Sequence, residues 1–369
     1  MRILLDYRPA LVERTGVGEY THEMAGALAR LLPEGDELVL FSSSWKDRLE
    51  PGRVRGAAVV DVRVPVRVLN FAWHRLEWPA IERFAGAVDI AHSSHPLLMP
   101  ARNAARLVTI YDLFFLADAA GTATEIRRDY PSLTAAHARR ADAVVVISKY
   151  TAAAVATQLD VPAGRLVLCP PGAPDWPRRE AWQPTGRILY LGSAERRKNV
   201  PGLLRAYGRL RARCPDAPRL TLAGRPPAAG SEIEAMLRAP GLAGQVEHRG
   251  YVTEAERRSL YAAASMLVVP SFDEGFGMPA LEAMTLGLPV VAANRGALPE
   301  VTGEAARLVD PGDDEAIAEG MRQVLADVDG TRARIEVGFA RAAAYSWQSS
   351  AARLLETYRE LHARRQAPA

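Results

Sequence analysis

Two carboxylates and a basic pair are the residues whose types and spacing best suit them to chemistry. Glu274 and Glu282, with seven residues between them, flank Gly275-Phe276-Gly277-Met278-Pro279-Ala280-Leu281. The apolar run Ser265–Pro270 before them reads as a buried strand. Pro279 favours a first helical turn, Ala280–Leu286 is helix-prone, and Gly287 with Pro289 stops the helix. A strand, a glycine loop and a helix together aim backbone N–H groups and a positive dipole end at an anion. A carboxylate before the turn and another inside the first helical turn cannot both bind phosphate. They suit hydroxyl donors, the way acidic residues hold ribose and sugar rings. The local expectation is a site for a phosphate-bearing sugar.

Other candidates also follow strands. Gly192-Ser193-Ala-Glu-Arg-Arg197-Lys198 comes after the apolar run at Arg187. Positive charge at a helix start does nothing for the helix, so Arg197 and Lys198 read either as a solvated loop or as a diphosphate clamp. Their place at a strand's carboxyl end favours the clamp. Thr15-Gly16-Val17-Gly18 follows the first strand, is not the dinucleotide glycine pattern, and reads as a plain loop or as an approach to phosphate or sugar. Tyr251 and Val252 follow Gly250 ahead of a capping box, Thr253 with Glu256, and either flank a nucleobase or pack. His92-x-x-His95 has no third ligand in view and reads as structural or substrate-polar rather than metal-binding. Of two basic-aromatic stretches, Glu125–Tyr130 and Phe71–Phe84, the second either packs its aromatics inward or touches a membrane surface or an acceptor.

Short apolar strands alternating with amphipathic helices must position these groups, which implies parallel sheets. Strands are expected at Arg2–Tyr7, Leu38–Phe41, Val59–Val64, Val88–His92, Leu107–Tyr111, Ala141–Ser148 and Arg165–Cys169, with a helix at Glu19–Leu32. The Pro170–Pro177 run breaks all periodicity and reads as a linker. The pattern then restarts and closes on helices at Asp314–Val328, Ile335–Tyr345 and Gln348–Ala363. Two α/β units are the natural division of 369 residues. Their ligands are expected at the carboxyl ends of both sheets, facing a central cleft. A hydrophobic content of 49% and a net charge of +3 fit a globular chain and give no support to nucleic-acid binding. Two distant cysteines, no spanning apolar run and no leader make the cytoplasm the expected location.

These motifs resemble those of the retaining glycosyltransferases of the family-4 type, with the GT-B fold. Glu274–Glu282 is similar to that family's Glu-x7-Glu signature, and Arg197-Lys198-Asn199 to its basic pair. Thr15–Tyr20 resembles its N-terminal glycine loop, and Ile147–Tyr150 and Pro170-Pro-Gly172 the end of its first domain. Ser346-Trp347 resembles the start of the last helix. The resemblance implies two Rossmann-like doubly wound domains, 1–172 for the acceptor and 173–345 for the donor, with helix 346–369 crossing back to the first. It implies transfer of a mannose- or glucose-type hexose from a GDP- or UDP-linked donor to a glycan or lipid-linked acceptor. Glu282 would hold the ribose, and Glu274 the donor-sugar hydroxyls. Arg197, Lys198 and the Phe276–Ala280 backbone would hold the diphosphate. No divalent metal is implied, and no Asp-x-Asp pattern is placed to suggest one. Peripheral contact with the inner face of a membrane fits a lipid-linked acceptor. Tyr111-Asp112-Leu113 departs from the family's His-Asp-Leu: a phenol hydrogen-bonds but carries no charge near neutral pH. Asp112 is a candidate for orienting donor or acceptor. The alternatives are a nucleotide-sugar-binding protein that has lost turnover and a glycoside hydrolase using Glu274 and Glu282.

Overall fold

The computed structural model describes residues 1–12, 16–117 and 124–367, with the backbone alone at 117 and 124–129. The chain divides into two compact units, Met1–Gly172 with Ser346–Ala369, and Ala173–Tyr345.

The first unit is a parallel seven-stranded sheet in the order β3-β2-β1-β4-β5-β6-β7. Its strands are β1 (Arg2–Asp6), β2 (Glu37–Ser43), β3 (Ala57–Val62), β4 (Ile90–Ser93), β5 (Ala105–Ile110), β6 (Ala143–Val146) and β7 (Leu166–Leu168). Strands of a doubly covered parallel sheet are apolar on both faces, and β6 is AVVV, wholly buried. The second unit repeats the plan with six strands in the order β10-β9-β8-β11-β12-β13. Here β8 is Arg187–Leu191, β9 Leu220–Ala223, β10 Val246–His248, β11 Ala264–Val269, β12 Val290–Ala293 and β13 Ala306–Val309. In both sheets the order reverses once, beside β1 and β4 in the first and beside β8 and β11 in the second. A doubly wound sheet opens a ligand crevice at that switch point, at the carboxyl ends of its strands.

Four differences from the sequence reading have local causes. The first helix runs Gly16–Leu31, so Gly16, Val17 and Gly18 form its first turn rather than a loop. The helix expected at Ile335 starts at Val328, because Asp327 caps it by accepting from Gly330 N–H. Phe71–Phe84 is no continuous helix: a short helix at Val66–Phe71 ends where that stretch begins, a wide helical turn follows at Ala72–Leu76, and a short helix at Glu82–Ala85 closes it. The helix carrying Glu282 starts at Met278, after Gly277 in the left-handed region (φ 96°). Glu282 is therefore its fifth residue, beyond the first turn.

The last helix, Trp347–Gln366, is capped by Ser346 and belongs to the first unit. Its Ser350 hydroxyl donates to Pro170 O at 2.7 Å, and its Tyr358 hydroxyl meets His92 Nδ1 at 2.6 Å. His92 Nε2 in turn meets Thr109 Oγ1 at 2.9 Å. His92 is thus a packed structural residue, and burial pushes its pKa down to about 3. Burial also brings His137 down to about 4. Both lie below the unfolded value of about 6.5, so below that pH the unfolded chain binds more protons and stability falls. Each histidine should contribute a slope of about 1.4 kcal/mol per pH unit between its two pKa values. Calorimetric melts from pH 7 to 4.5 should show the first unit losing stability steeply, and His92→Gln should flatten the loss by about half.

Candidate functional site

At the switch point of the second unit, the loops leaving β8 and β11 bring opposite charges together. After β8, Arg196–Lys198 forms a single tight turn. Asn199 follows in the left-handed region (φ 54°), and its side chain accepts from Gly202 N–H at 3.2 Å and donates to Pro311 O at 2.7 Å. That double anchor, with Pro201 in the first turn, starts the helix Val200–Arg213 and fixes where the two preceding cations point. After β11, Glu274 is 6% exposed. Lys198 Nζ lies 2.6 Å from its Oε1, the Ser271 hydroxyl donates to the same oxygen at 2.8 Å, and Arg197 reaches its Oε2 at 3.4 Å. Burial pushes the Glu274 carboxyl up, but Lys198 and Arg197 more than offset it and hold it below the ordinary value.

Arg197 also donates to Glu195 at 2.9 Å, and the Ser193 hydroxyl donates to the other oxygen of that carboxylate at 2.8 Å. Two cations and two carboxylates therefore balance within the cluster. Glu195 is its outer member, with a side chain 44% exposed.

Glu282 is buried one step behind. The Tyr261 hydroxyl donates to its Oε2 at 2.8 Å, and Arg257 lies 3.2 Å from its Oε1. Between the two carboxylates, Gly277 opens the helix Met278–Leu286 with Pro279 in the first turn and no capping side chain. Phe276 is buried edge-on against Tyr345, so its ring packs. The loops after β8, β9 and β10 are tied in series. Gly192 N–H donates to Ala223 O at 2.9 Å, and Gly224 N–H to Gly250 O at 2.8 Å, just before Tyr251 and Val252. Tyr251 is exposed, while the capping box behind it is formed as the sequence spells it.

In the first unit, Tyr111 and Asp112 follow β5. The Tyr111 ring stands edge-on to Tyr20 at 5.3 Å, and its hydroxyl is buried with no hydrogen-bond partner among the described residues. Burial raises its pKa well above the usual phenol value, so it stays neutral. Asp112 accepts from Phe114 N–H at 3.2 Å. Gly16, Val17 and Gly18 supply first-turn backbone, while Thr15 lies outside the described residues. Of the Glu125–Tyr130 stretch, only the Tyr130 side chain is described. His95 Nε2 is 3.1 Å from Asp6, which Arg8 grips at 2.7 and 2.8 Å. Burial raises the Asp6 carboxyl, but Arg8 outweighs it and leaves the pKa well below the carboxylate range. Among the described residues no three His, Cys, Asp or Glu side chains gather as a metal site.

Sequence reasoning gave no role to Ser271, Asn199, Tyr261, Arg257 or Gly224. Asn199 stands within a quoted motif and Ser271 just before another, so both were within reach. Tyr261 and Arg257 come from a helix whose i, i+4 spacing puts both on one face, but nothing in that spacing names Glu282 as their target.

Comparison with known proteins bears on what this arrangement belongs to. A model of "Glycosyltransferase Family 4" matches residues 14–176, and one of "Glycosyl transferases group 1" matches residues 185–327. The chain carries a glycosyltransferase domain of each of these two models. O-antigen chain mannosyltransferase B of Escherichia coli is 38% identical over 185 residues, which are 49% of this chain and 47% of the relative. The MMP alpha-(1->4)-mannosyltransferase of Mycolicibacterium hassiacum is 32% identical over 237 residues, 62% of this chain and 56% of the relative. The chain spans about half the length of the curated relatives it matches. Sucrose-phosphate synthase from Thermosynechococcus elongatus superposes with a TM-score of 0.79 at 22% identity, covering 99% of this chain and all of that one. The two-sheet architecture is therefore that of the GT-B glycosyltransferases.

Proposed function

We propose that the chain moves a mannose- or glucose-type hexose from a nucleoside diphosphate donor to a hydroxyl of a glycan or lipid-linked acceptor, with retained anomeric configuration. The observation that carries this is the meeting of Lys198 and Arg197 with Glu274 at the switch point of the second unit. The names of the two mannosyltransferase relatives support a mannose-type sugar.

In the reaction the bond from the anomeric carbon to the diphosphate breaks, and its electron pair stays on the phosphate oxygen. The acceptor oxygen takes the carbon on the same face, and its proton passes to the departing phosphate oxygen. Lys198 and Arg197 stabilise the growing phosphate charge in a site where burial strengthens every electrostatic contact. With the cluster already balanced, the diphosphate enters by displacing Glu195, its exposed member. Glu274 stays ionised and accepts from donor-sugar hydroxyls. Glu282, oriented by Tyr261 and Arg257, accepts from the ribose. Tyr111 contributes a neutral hydroxyl, so no imidazole titration is expected from that position. Both thiols are free, and burial pushes that of Cys169 up to about 12, so it stays an unreactive thiol. A hydrolase pair needs one carboxyl kept protonated as the acid, a role that Glu274 does not fit because Lys198 and Arg197 hold it low.

The test is transfer itself, using GDP- and UDP-linked hexoses with an oligosaccharide and lipid-linked acceptor pool. Nucleoside diphosphate should appear one for one with product, and proton NMR should show the donor's anomeric configuration preserved. Glu282→Ala should raise the donor KM about 10- to 100-fold, the worth of a charged hydrogen bond. Free sugar released from an oligosaccharide without nucleotide would make the protein a hydrolase. Donor binding without product on any acceptor would make it a binding protein.

A further inference from the structure

We propose that the Val66–Trp78 segment of the first unit is an interfacial docking element for an anionic lipid bilayer. Twelve large hydrophobic side chains are strongly exposed among the described residues, and four of them, Val68, Phe71, Leu76 and Trp78, fall in these thirteen positions, at 58, 56, 63 and 60%. A fifth, Trp45 at 62%, adjoins through Arg63, whose guanidinium lies 5.9 Å from the indole centroid.

The segment is amphipathic in an unusual sense, with an apolar face on each side. Leu69 and Trp73 are buried, and the Trp73 indole N–H donates to Pro79 O at 2.9 Å. That inner face bolts the segment to the core, so the outer face is presented rather than left loose. An apolar outer face in water is unfavourable unless something covers it.

Charge identifies what covers it. Arg63, Arg67 and Arg75 are all exposed along the segment. Its one acidic side chain, Glu77, is gripped by both terminal nitrogens of Arg140 at 2.6 and 2.8 Å. Beside Trp78 a pocket of about 210 Å³ is lined by Arg102, Arg106 and Glu77; Arg140 already holds the Glu77 carboxylate, so the lining keeps a net positive charge suited to a lipid phosphate. Tryptophan and phenylalanine flanked by arginine are the side chains that settle at the headgroup boundary. A second copy of the chain fits less well, because a twofold contact would set these arginines against their own mates. Among the described residues no helix is long and apolar enough to cross a membrane.

Vesicle sedimentation tests this independently of any transfer assay, with phosphatidylcholine vesicles either pure or carrying about a third phosphatidylglycerol. The full chain should pellet with the anionic vesicles at least about tenfold better than with the pure ones, and raised salt should weaken binding. Phe71→Ser with Trp78→Ser should lower the partition about tenfold or more. Arg67→Gln with Arg75→Gln should lower it about 25-fold, roughly fivefold for each arginine. Phe272→Ser, at a somewhat less exposed aromatic in the second unit (48%), should leave it unchanged. All variants should melt as the wild type does. Wild type that ignores both vesicles, or variants that pellet as wild type does, would overturn the proposal. So would light scattering that shows a dimer dissolved by the Phe71→Ser and Trp78→Ser changes.

Discussion

Lys198→Ala is expected to lower kcat/KM for the nucleotide-sugar donor by about 10²–10³-fold, the scale seen when one preorganised donor to a developing charge is removed. The loss should fall mainly on kcat, because the phosphate charge grows only as the sugar leaves. The substitution also leaves Glu274 buried with Ser271 and the more distant Arg197 as its remaining partners. A buried carboxylate stripped of its main counter-charge costs up to about 3–5 kcal/mol, so Lys198→Ala should also melt earlier. Adding Glu274→Gln to Lys198→Ala should restore much of that stability without restoring turnover. A less than threefold change in kcat/KM for Lys198→Ala would remove this lysine from the chemistry.

Gly224→Ala is expected to be nearly as damaging, although Gly224 touches no ligand group in this account. Its φ of +141° is open to glycine alone, and a Cβ there would sit 2.0 Å from Gly192 O. Gly224 also donates to Gly250 O, so one added methyl strains the loops carrying Gly192, Ser193, Tyr251 and Val252 together. Backbone strain and overpacking should cost about 2–5 kcal/mol in urea unfolding of the second unit. Nucleoside diphosphate affinity should fall with it. Gly230→Ala is the contrast: its φ of +74° is strained, but nothing lies within 4 Å of the added carbon, so about 1 kcal/mol is expected. Equal losses at the two positions would mean that the close approach to Gly192 does not matter.

The parallel sheets were legible because buried strands such as AVVV and ASMLVV have no polar face to confuse the pattern. The helix Val200–Arg213 starts where local signals agree, with Asn199 as its cap, Pro201 in its first turn and an apolar repeat behind them. Boundaries failed where one short-range interaction outweighed the pattern, as where the Asp327 cap starts a helix early. Phe71–Phe84 could not be read because periodicity does not say which of two apolar faces is buried: Trp73 turns in while Phe71 and Trp78 turn out. At the site, local motifs marked Glu274, Lys198 and Arg197, since each stands at the carboxyl end of a strand. Their contact depended on β8 and β11 being neighbours, which strand order decides and local sequence does not. Glu282 carries a signal in spacing, but its partners Tyr261 and Arg257 come from a different helix.

The central claim is that the switch point of the second unit binds a nucleoside diphosphate through Lys198, Arg197 and Glu282. Calorimetric titration of the whole chain with UDP and GDP tests it most directly. One of the two should bind with a Kd well below millimolar, and Lys198→Ala and Glu282→Ala should each weaken it at least about tenfold. No heat from either nucleotide at millimolar concentration, or equal binding by wild type and both variants, would contradict the account.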